Sequence, residues 1–330
     1  MTIDIEQMDA IVVQAYGSPA QALSYRSEPV PQPGPGEVLV EVRAAAVNPF
    51  DVVIASGKLG TPVPVIPGGD FAGVIVSDGD RVGEEVWGSG WSTGVELGLT
   101  RPGTHARYVA LPEKVLSRKP ARLTMSQSAA VGRSHLAAWH TVINTMQLLP
   151  GETILITGGA GMIGQAATEI ARWRGATPIV AARRKPDGVE HFIDTTSTDI
   201  SEAVLELTDG RGADLVLDVV GGELFEPALH SLRFGGRMAA TFNNLSRVEF
   251  NPGEEIVNKQ LHLSGIASLF WDPADIAAIF DQLAALFDHG LLSPPPVKTW
   301  PLAQAVEAYE TVADGSAGIK QVLLPGGDAA

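Results

Sequence analysis

The segment TILITGGAGMIGQAATEIARW carries the pattern with the clearest chemistry. Gly159, Gly161 and Gly164 form G-x-G-x-x-G between an apolar run and a run of helical period. In that setting the pattern predicts a strand, a tight turn and a helix whose first amides face the diphosphate of a dinucleotide. Gly159 is expected to permit the turn, Gly161 to let backbone approach the phosphates, and Gly164 to let helix and strand pack closely. The amides of Met162 and Ile163 then address the diphosphate from the positive end of the helix. After the next apolar run, IVAA, come Arg183, Arg184 and Lys185 in place of an Asp or Glu. A carboxylate there would accept from a ribose 2′-hydroxyl and repel a 2′-phosphate, whereas guanidinium groups hold a phosphate by bidentate, charge-assisted bonds. The expected cofactor is therefore NADP(H), with Arg183 and Arg184 at its extra phosphate.

Other chemistries are removed by composition. The 330 residues include no Cys, so disulfides, thiolate zinc sites and cysteine nucleophiles are absent, and any metal would need His, Asp or Glu. No HExxH or Walker sequence competes with the glycine motif. Asp and Glu number 38 against 23 Lys and Arg, a net charge of −15. Nucleic acid is not an expected partner, because a polyanion binder needs an excess of basic surface. The first twenty residues have neither a basic start nor an uninterrupted apolar stretch, and no run approaches the roughly 20 apolar residues of a spanning helix. The expectation is a cytoplasmic protein without membrane contact.

The elements that must position these residues are legible as composition shifts. From 29 to 103, glycine and proline interrupt short β-prone runs, and EVLVEVR at 37–43 alternates apolar with polar residues. A small β-barrel is implied. From about 125 onward, TILIT, IVAA, ADLVLDVV and RMAAT alternate with helical stretches, as a parallel sheet covered on both faces requires. Only eight residues, 183–190, separate IVAA from the next apolar run at 191–193. A parallel crossover normally needs a dozen or more, so either the usual helix is missing or 191–193 is not a parallel neighbour. Near Trp271 a third region begins, where Ile276, Ile279, Phe280, Leu283, Leu286 and Phe287 recur at helical spacing and Gly290 stands at the stop. The expected fold class is α/β, with 1–124 a β-rich domain, 125–268 a doubly wound dinucleotide-binding domain, and 269–330 returning to the first. LHLSGI at 261–266 is expected at a sheet edge, which invites pairing into a homodimer.

With those landmarks in place, the chain resembles the zinc-independent, zeta-crystallin-like quinone oxidoreductases of the medium-chain dehydrogenase/reductase superfamily. The resemblance rests on AAAVNPFDVVIASG at 44–57, VIPGGDFAGVI at 65–75, GTHARYVALP at 103–112, AAW at 137–139, the glycine turn, and TDGRGADLVLDVVGG at 208–222. SLRFGGRMAATF and PLAQAVEAYETVADG fit as well. It implies a GroES-like catalytic domain built from both chain ends, a Rossmann domain between them, and a cleft where NADPH reduces a quinone or an α,β-unsaturated carbonyl. Zinc-containing relatives have Cys and His where Asn48 and Gly69 stand, so the resemblance implies a metal-free site.

Within that site Asn48 is expected either to donate to the substrate carbonyl as negative charge develops or only to make the turn before Pro49. Asp51 and Asp70 are expected to brace the scaffold. By resemblance, Val219, Thr241, Phe242, Ala267 and Ser268 line the cofactor or simply pack. Arg133 and His135 stand where apolar or small residues are commoner, and each touches diphosphate or substrate or is structural. His135 is a candidate proton donor, because imidazole titrates near neutral pH. Ala137 replaces a frequent Thr, and a frequent Tyr after the NPxD loop is absent. These departures leave two alternatives: an NADP(H)-binding sensor or structural protein without turnover, and an alcohol dehydrogenase with zinc on oxygen and imidazole ligands.

Overall fold

The chain begins with an antiparallel pair, β1 (Gln7–Val13) and β2 (Leu23–Pro29), joined through α1 (Pro19–Ala22). The alternating stretch becomes β3 (Glu37–Val47), whose last four residues, AAAV, are all buried. Then come α2 (Pro49–Ala55), β4 (Asp70–Ile75), β5 (Glu85–Ser89), β6 (Tyr108–Pro112) and β7 (Ser117–Arg118). Helix α3 (Met125–Trp139) is interrupted at Gly132, whose φ of 26° and ψ of −138° are not helical. Beyond it lie β8 (Thr153–Thr157), α4 (Met162–Trp173), β9 (Thr177–Ala182), β10 (His191–Asp194), α5 (Ile200–Leu207), β11 (Ala213–Asp218), α6 (Phe225–His230), β12 (Leu232–Ala240) and β13 (His262–Gly265). The last elements are α7 (Pro273–Asp288), β14 (Val297–Pro301), α8 (Ala305–Ala313) and β15 (Lys320–Leu324).

This computed structural model describes residues 5–77, 79–241, 247–248, 250–315 and 318–326. They divide into two units, one formed by the chain up to Leu136 together with Ser268 onward, the other by Ala137–Ala267. The division thus falls within α3 and just before Ser268. Among the described residues no helix is long and apolar enough to cross a membrane.

In the first unit the strands form a sheet in the order β14-β15-β3-β4-β5-β7, with β6 on β3. The C-terminal segment supplies β14 and β15, and β15 pairs antiparallel with the buried end of β3. Helix α7 forms where the periodicity places it. Asp272 caps it by accepting from the Ala274 amide, and Gly290 follows its end at a φ of 69°. Its apolar face brings Phe280 and Phe287 edge-on to the buried Trp87, with centroids 5.0 and 6.3 Å away. Such aromatic pairs add about 0.5–1.5 kcal/mol each beyond their burial.

The second unit is a six-stranded parallel sheet in the order β10-β9-β8-β11-β12-β13. Numbered from β8 this is 3-2-1-4-5-6, the doubly wound order that opens a ligand crevice where the chain reverses direction, between β8 and β11. Both of those strands are buried along their whole length, which explains their unbroken apolar composition. The connection at 183–190 contains no helix, yet β10 does pair parallel with β9. Eight extended residues reach roughly 26 Å, enough to run back along a four-residue strand and step sideways by one. The Gly188 carbonyl accepts from Arg172 of α4 at 2.7 Å, which pins this short connection. At the opposite edge β13 is outermost, with His262, Leu263 and Gly265 exposed.

Candidate active site

The glycine turn links β8 to α4, and its three glycines do different work. Gly161 is the N-cap of α4, and a Cβ there would meet only the Gly158 carbonyl, at 3.3 Å. Space for an approaching diphosphate is therefore open at Gly161, over the first-turn amides of Met162 and Ile163, which have no acceptor within the helix. A Cβ at Gly164 would lie 2.5 Å from Gly159 Cα, so this glycine is what lets α4 press against the turn. The left-handed residue of the turn is Gly158, at a φ of 62°, and not Gly159 as the motif suggests. Gly159 is constrained instead by packing, because a Cβ there would come 2.4 Å from Val180 Cγ1 on β9.

At the carboxyl ends of β8 and β11, Thr157 donates to Asp218 Oδ1, which also accepts from the amides of Val220 and Gly221 at 3.0 Å each. The Val219 amide donates to Thr157 Oγ1, and a Cβ at Gly158 would meet the Val219 side chain at 2.6 Å. Val219 therefore lies against the glycine turn. Thr241 follows β12 and donates its amide to the Asp218 carbonyl, at the same end of the sheet. Arg183, Arg184 and Lys185 are exposed immediately beyond β9. Phe242 lies outside the described residues. Ala267 is exposed two residues after β13, whereas Ser268 belongs to the first unit, where it is buried and begins a 3₁₀ turn.

The first unit holds a cluster of buried charges around Asn48. Asn48 caps α2, and its backbone amide donates to Asp51 Oδ2 at 2.8 Å. Its side-chain Nδ2 donates to Asp70 Oδ2 at 2.9 Å and more loosely to the Ala46 carbonyl at 3.5 Å, while its Oδ1 accepts from Lys320 Nζ. Asp70 Oδ2 also accepts from the Arg133 amide at 2.9 Å. That approach depends on Gly132, where a Cβ would lie 2.4 Å from the same carboxylate oxygen. Asn48, Asp51, Asp70 and Lys320 are all buried. Burial pushes the Asp51 carboxyl up to about 7, and Asp70 adds to the rise; the Asn48 amide, Lys320 and Arg133 oppose it. Burial likewise holds the Lys320 ammonium below its usual range, against the pull of Asp70 and Asp51.

Two histidines of this unit are held neutral. His135 is buried and packs against Phe287, and its Nδ1 donates to the Val131 carbonyl at 3.2 Å. Burial lowers it to about 4, so it carries no ionisable proton to give at neutral pH. His105, also lowered to about 4 by burial, donates from Nε2 to the Ala46 carbonyl and accepts at Nδ1 from the Tyr309 hydroxyl.

These residues do not fit a zinc ion. A Cβ at Gly69 would lie 2.4 Å from the Trp91 ring, so indole fills the place a longer side chain at 69 would need. The Asn48 oxygen already faces the Lys320 ammonium. Among the described residues, the cluster of His, Asp and Glu able to hold a metal is Glu226, His230 and Glu255, in the other unit.

Comparison with known proteins agrees with this architecture. The alcohol dehydrogenase GroES-like domain matches residues 34–121, and the zinc-binding dehydrogenase domain matches residues 188–323. A zinc-type alcohol dehydrogenase-like protein of Schizosaccharomyces pombe is 32% identical over 278 residues, covering 81% of each chain. The quinone oxidoreductase of Homo sapiens is 26% identical over 329 residues, covering 96% of this chain and 97% of its own. A quinone oxidoreductase structure from Pseudomonas syringae superposes with a TM-score of 0.83 at 25% identity, over 96% of this chain and all of that one. The chain belongs to the medium-chain dehydrogenase/reductase superfamily, in its quinone-oxidoreductase-like branch. It is an oxidoreductase of that family, whose dehydrogenases bind nicotinamide cofactors.

Sequence reasoning missed Lys320 altogether. The available signal was a lysine opening a strand, KQVLL, whose last three residues are apolar, so that a buried charge there must find partners. It also left Trp91 unmentioned, although Trp91 occupies the space at Gly69.

Proposed function

We propose that the chain catalyses NADPH-dependent, metal-independent reduction of a quinone or an α,β-unsaturated carbonyl compound. When bound, the coenzyme supplies the hydride. Gly161 and the first turn of α4 hold its diphosphate, and Arg183 and Arg184 hold the 2′-phosphate. The observation that carries the reading is the Asn48 amide. One Nδ2 proton is committed to Asp70, and the other is held only loosely, at 3.5 Å from Ala46, which leaves it as the donor for a substrate oxygen. The Lys320 ammonium on Oδ1 withdraws electron density from the amide and strengthens that second donor as charge develops on the oxygen. This is the electrostatic part that a Lewis acid plays in zinc-dependent relatives. With both histidines neutral and buried, protonation of the product falls to water or to Asp51, whose carboxyl, raised to about 7, is partly protonated at neutral pH. We further assign dimer formation to the exposed edge strand β13.

The test is NADPH consumption by chelator-treated protein with a panel of quinones and enones, alongside calorimetry with NADPH and NADH. Turnover that survives metal removal supports the proposal, and absence of nucleotide binding overturns it. One observation favours a second reading, nucleotide binding without turnover: both polar atoms of the Asn48 side chain already have protein partners. Tight NADPH binding with no acceptor-dependent loss of NADPH would select it.

A further inference from the structure

Arg133 is held in an unusual setting for a cation. Its guanidinium lies over the rings of Phe50 and Trp91, with the central carbon 4.9 and 4.6 Å from their centroids, and those two rings meet edge-on at 5.3 Å. Asp51 and Asp70 are close enough to act on it electrostatically, yet the guanidinium donates no hydrogen bond and forms no ion pair among the described residues. Only its backbone amide is used, by Asp70. Its Nη1 is shut off from solvent and has no acceptor. A buried charged donor without an acceptor costs more than a neutral one in the same position. The two rings hold the guanidinium in place without supplying a conventional acceptor for its donors.

We propose that Arg133 binds a carboxylate of the substrate, and that the substrate class is an enone bearing a carboxylate. The inference rests on the reductase reading above and narrows it. A planar carboxylate matches the guanidinium fork. Charge sets the same limit. Burial raises Asp51 to about 7, so it is only partly ionised at neutral pH, and Arg133 and Lys320 together outweigh Asp70 and Asp51 by less than one full positive charge. A phosphate dianion beside Asp70 and Asp51 would be over-charged for that site. The nucleotide's anions, moreover, already have the α4 N-terminus and Arg183 and Arg184 as partners in the other unit.

The experiment compares (E)-4-oxopent-2-enoate with its methyl ester as acceptors, using full-length wild type, Arg133→Gln and Arg133→Lys, with the Kd for NADPH measured on each. The intrinsic reactivity of acid and ester cancels when their kcat/KM ratio is compared between proteins. The expected result is a fall of at least tenfold in the acid-to-ester ratio in Arg133→Gln, through KM for the acid, with a smaller fall in Arg133→Lys. An unchanged ratio in both variants overturns the proposal, because it marks Arg133 as structural. A tenfold loss of NADPH affinity with the ratio unchanged also overturns it and moves the anion to the coenzyme. Turnover of either compound with the acid-to-ester ratio the same in all three proteins defeats the carboxylate assignment and leaves the reductase reading standing. Wild type that reduces neither compound nor any quinone defeats the reading and this inference with it.

Discussion

Lys320 Nζ donates to Asn48 Oδ1 at 2.5 Å, although 272 positions separate the two residues in the chain. The bond fastens the first residue of β15 to the cap of α2. It also places a cation among Asp51, Asp70 and Asn48, which would otherwise bury two carboxyl groups with little compensation. Asp51 Oδ1 and Asp70 Oδ1 are already buried without hydrogen-bond partners, so the ammonium is the main charge that offsets them on this side of the cluster.

Lys320→Met therefore removes the compensating charge and leaves the carboxyl groups in place. Breaking a buried charged arrangement from one side costs about 3–5 kcal/mol, and the expected result is a loss of that size in urea unfolding. The substitution also raises Asp51 further, because Lys320 is one of the groups holding it down. A second substitution, Asp51→Asn in the Lys320→Met background, should recover part of the loss. A gain from Asp51→Asn that is equal in wild type and in the Lys320→Met background would show that these residues are not coupled.

Stability against pH separates Asp51 from the histidines. Asp51 rises from 3.8 to about 7 in the fold, so its contribution is present below pH 3.8 and is lost as pH rises toward 7. His105 and His135 fall from 6.5 to about 4, so theirs is present above pH 6.5 and is lost as pH falls toward 4. Between pH 4 and 6.5 two protons act one way and one the other. These three groups give wild type a net loss on acidification of about one proton, roughly 1.4 kcal/mol per pH unit. Asp51→Asn removes the opposing proton and should double that slope. It should also stand above wild type by about 4 kcal/mol at pH 7.5 and converge with it near pH 4. Parallel stability curves for the two proteins would contradict the assignment of Asp51.

The glycine motif can be dissected in the same way. Gly164→Ala forces a methyl against backbone atoms of Gly159 and Gly158 at 2.5 and 2.6 Å, which cannot yield as a side chain would. The expected cost is about 1–3 kcal/mol of stability. Gly161→Ala meets only one carbonyl, at 3.3 Å, and its φ of −83° suits any residue, so its unfolding midpoint should stay near wild type. On the proposed binding mode its methyl stands in the path of the diphosphate, and NADPH affinity measured by calorimetry should fall roughly tenfold, about 1.4 kcal/mol. A destabilised Gly161→Ala with full affinity would reverse the two roles.

Much of this fold was legible because local rules and tertiary structure agree. TILIT and ADLVLDVV are continuous apolar runs because β8 and β11 are covered on both faces, and the period of α7 follows its contact with Trp87. What escaped the sequence was set by approach between distant segments. The left-handed turn residue is Gly158, and a Cβ there would run into the side chains of Val219 and Val220, a contact no local motif records. The helix break at Gly132 exists because the backbone there comes to within hydrogen-bond reach of Asp70. Lys320 and Trp91 belong to the site for the same reason. The lysine that opens KQVLL signals a buried charge but not its partners, and only the pairing of β15 with β3 and the bare Cα of Gly69 bring Lys320 and Trp91 there.

Coenzyme preference is the last point at which sequence and structure meet a measurement. Arg183 and Arg184 follow β9 directly and are exposed, and the connection they begin is too short to hold a helix. Guanidinium groups at this strand tip offer charge-assisted bonds worth about 1.5–3 kcal/mol to a 2′-phosphate and nothing comparable to a 2′-hydroxyl. The double substitution Arg183→Ala with Arg184→Ala should raise the Kd for NADPH by roughly 10- to 100-fold and move that for NADH less than about twofold. Because these side chains face water, the NADPH affinity of wild type should also weaken with added salt, and the double variant should lose most of that dependence. Equal weakening of both coenzymes would place the arginines at the diphosphate. No change in either would show that Arg183 and Arg184 do not hold the 2′-phosphate.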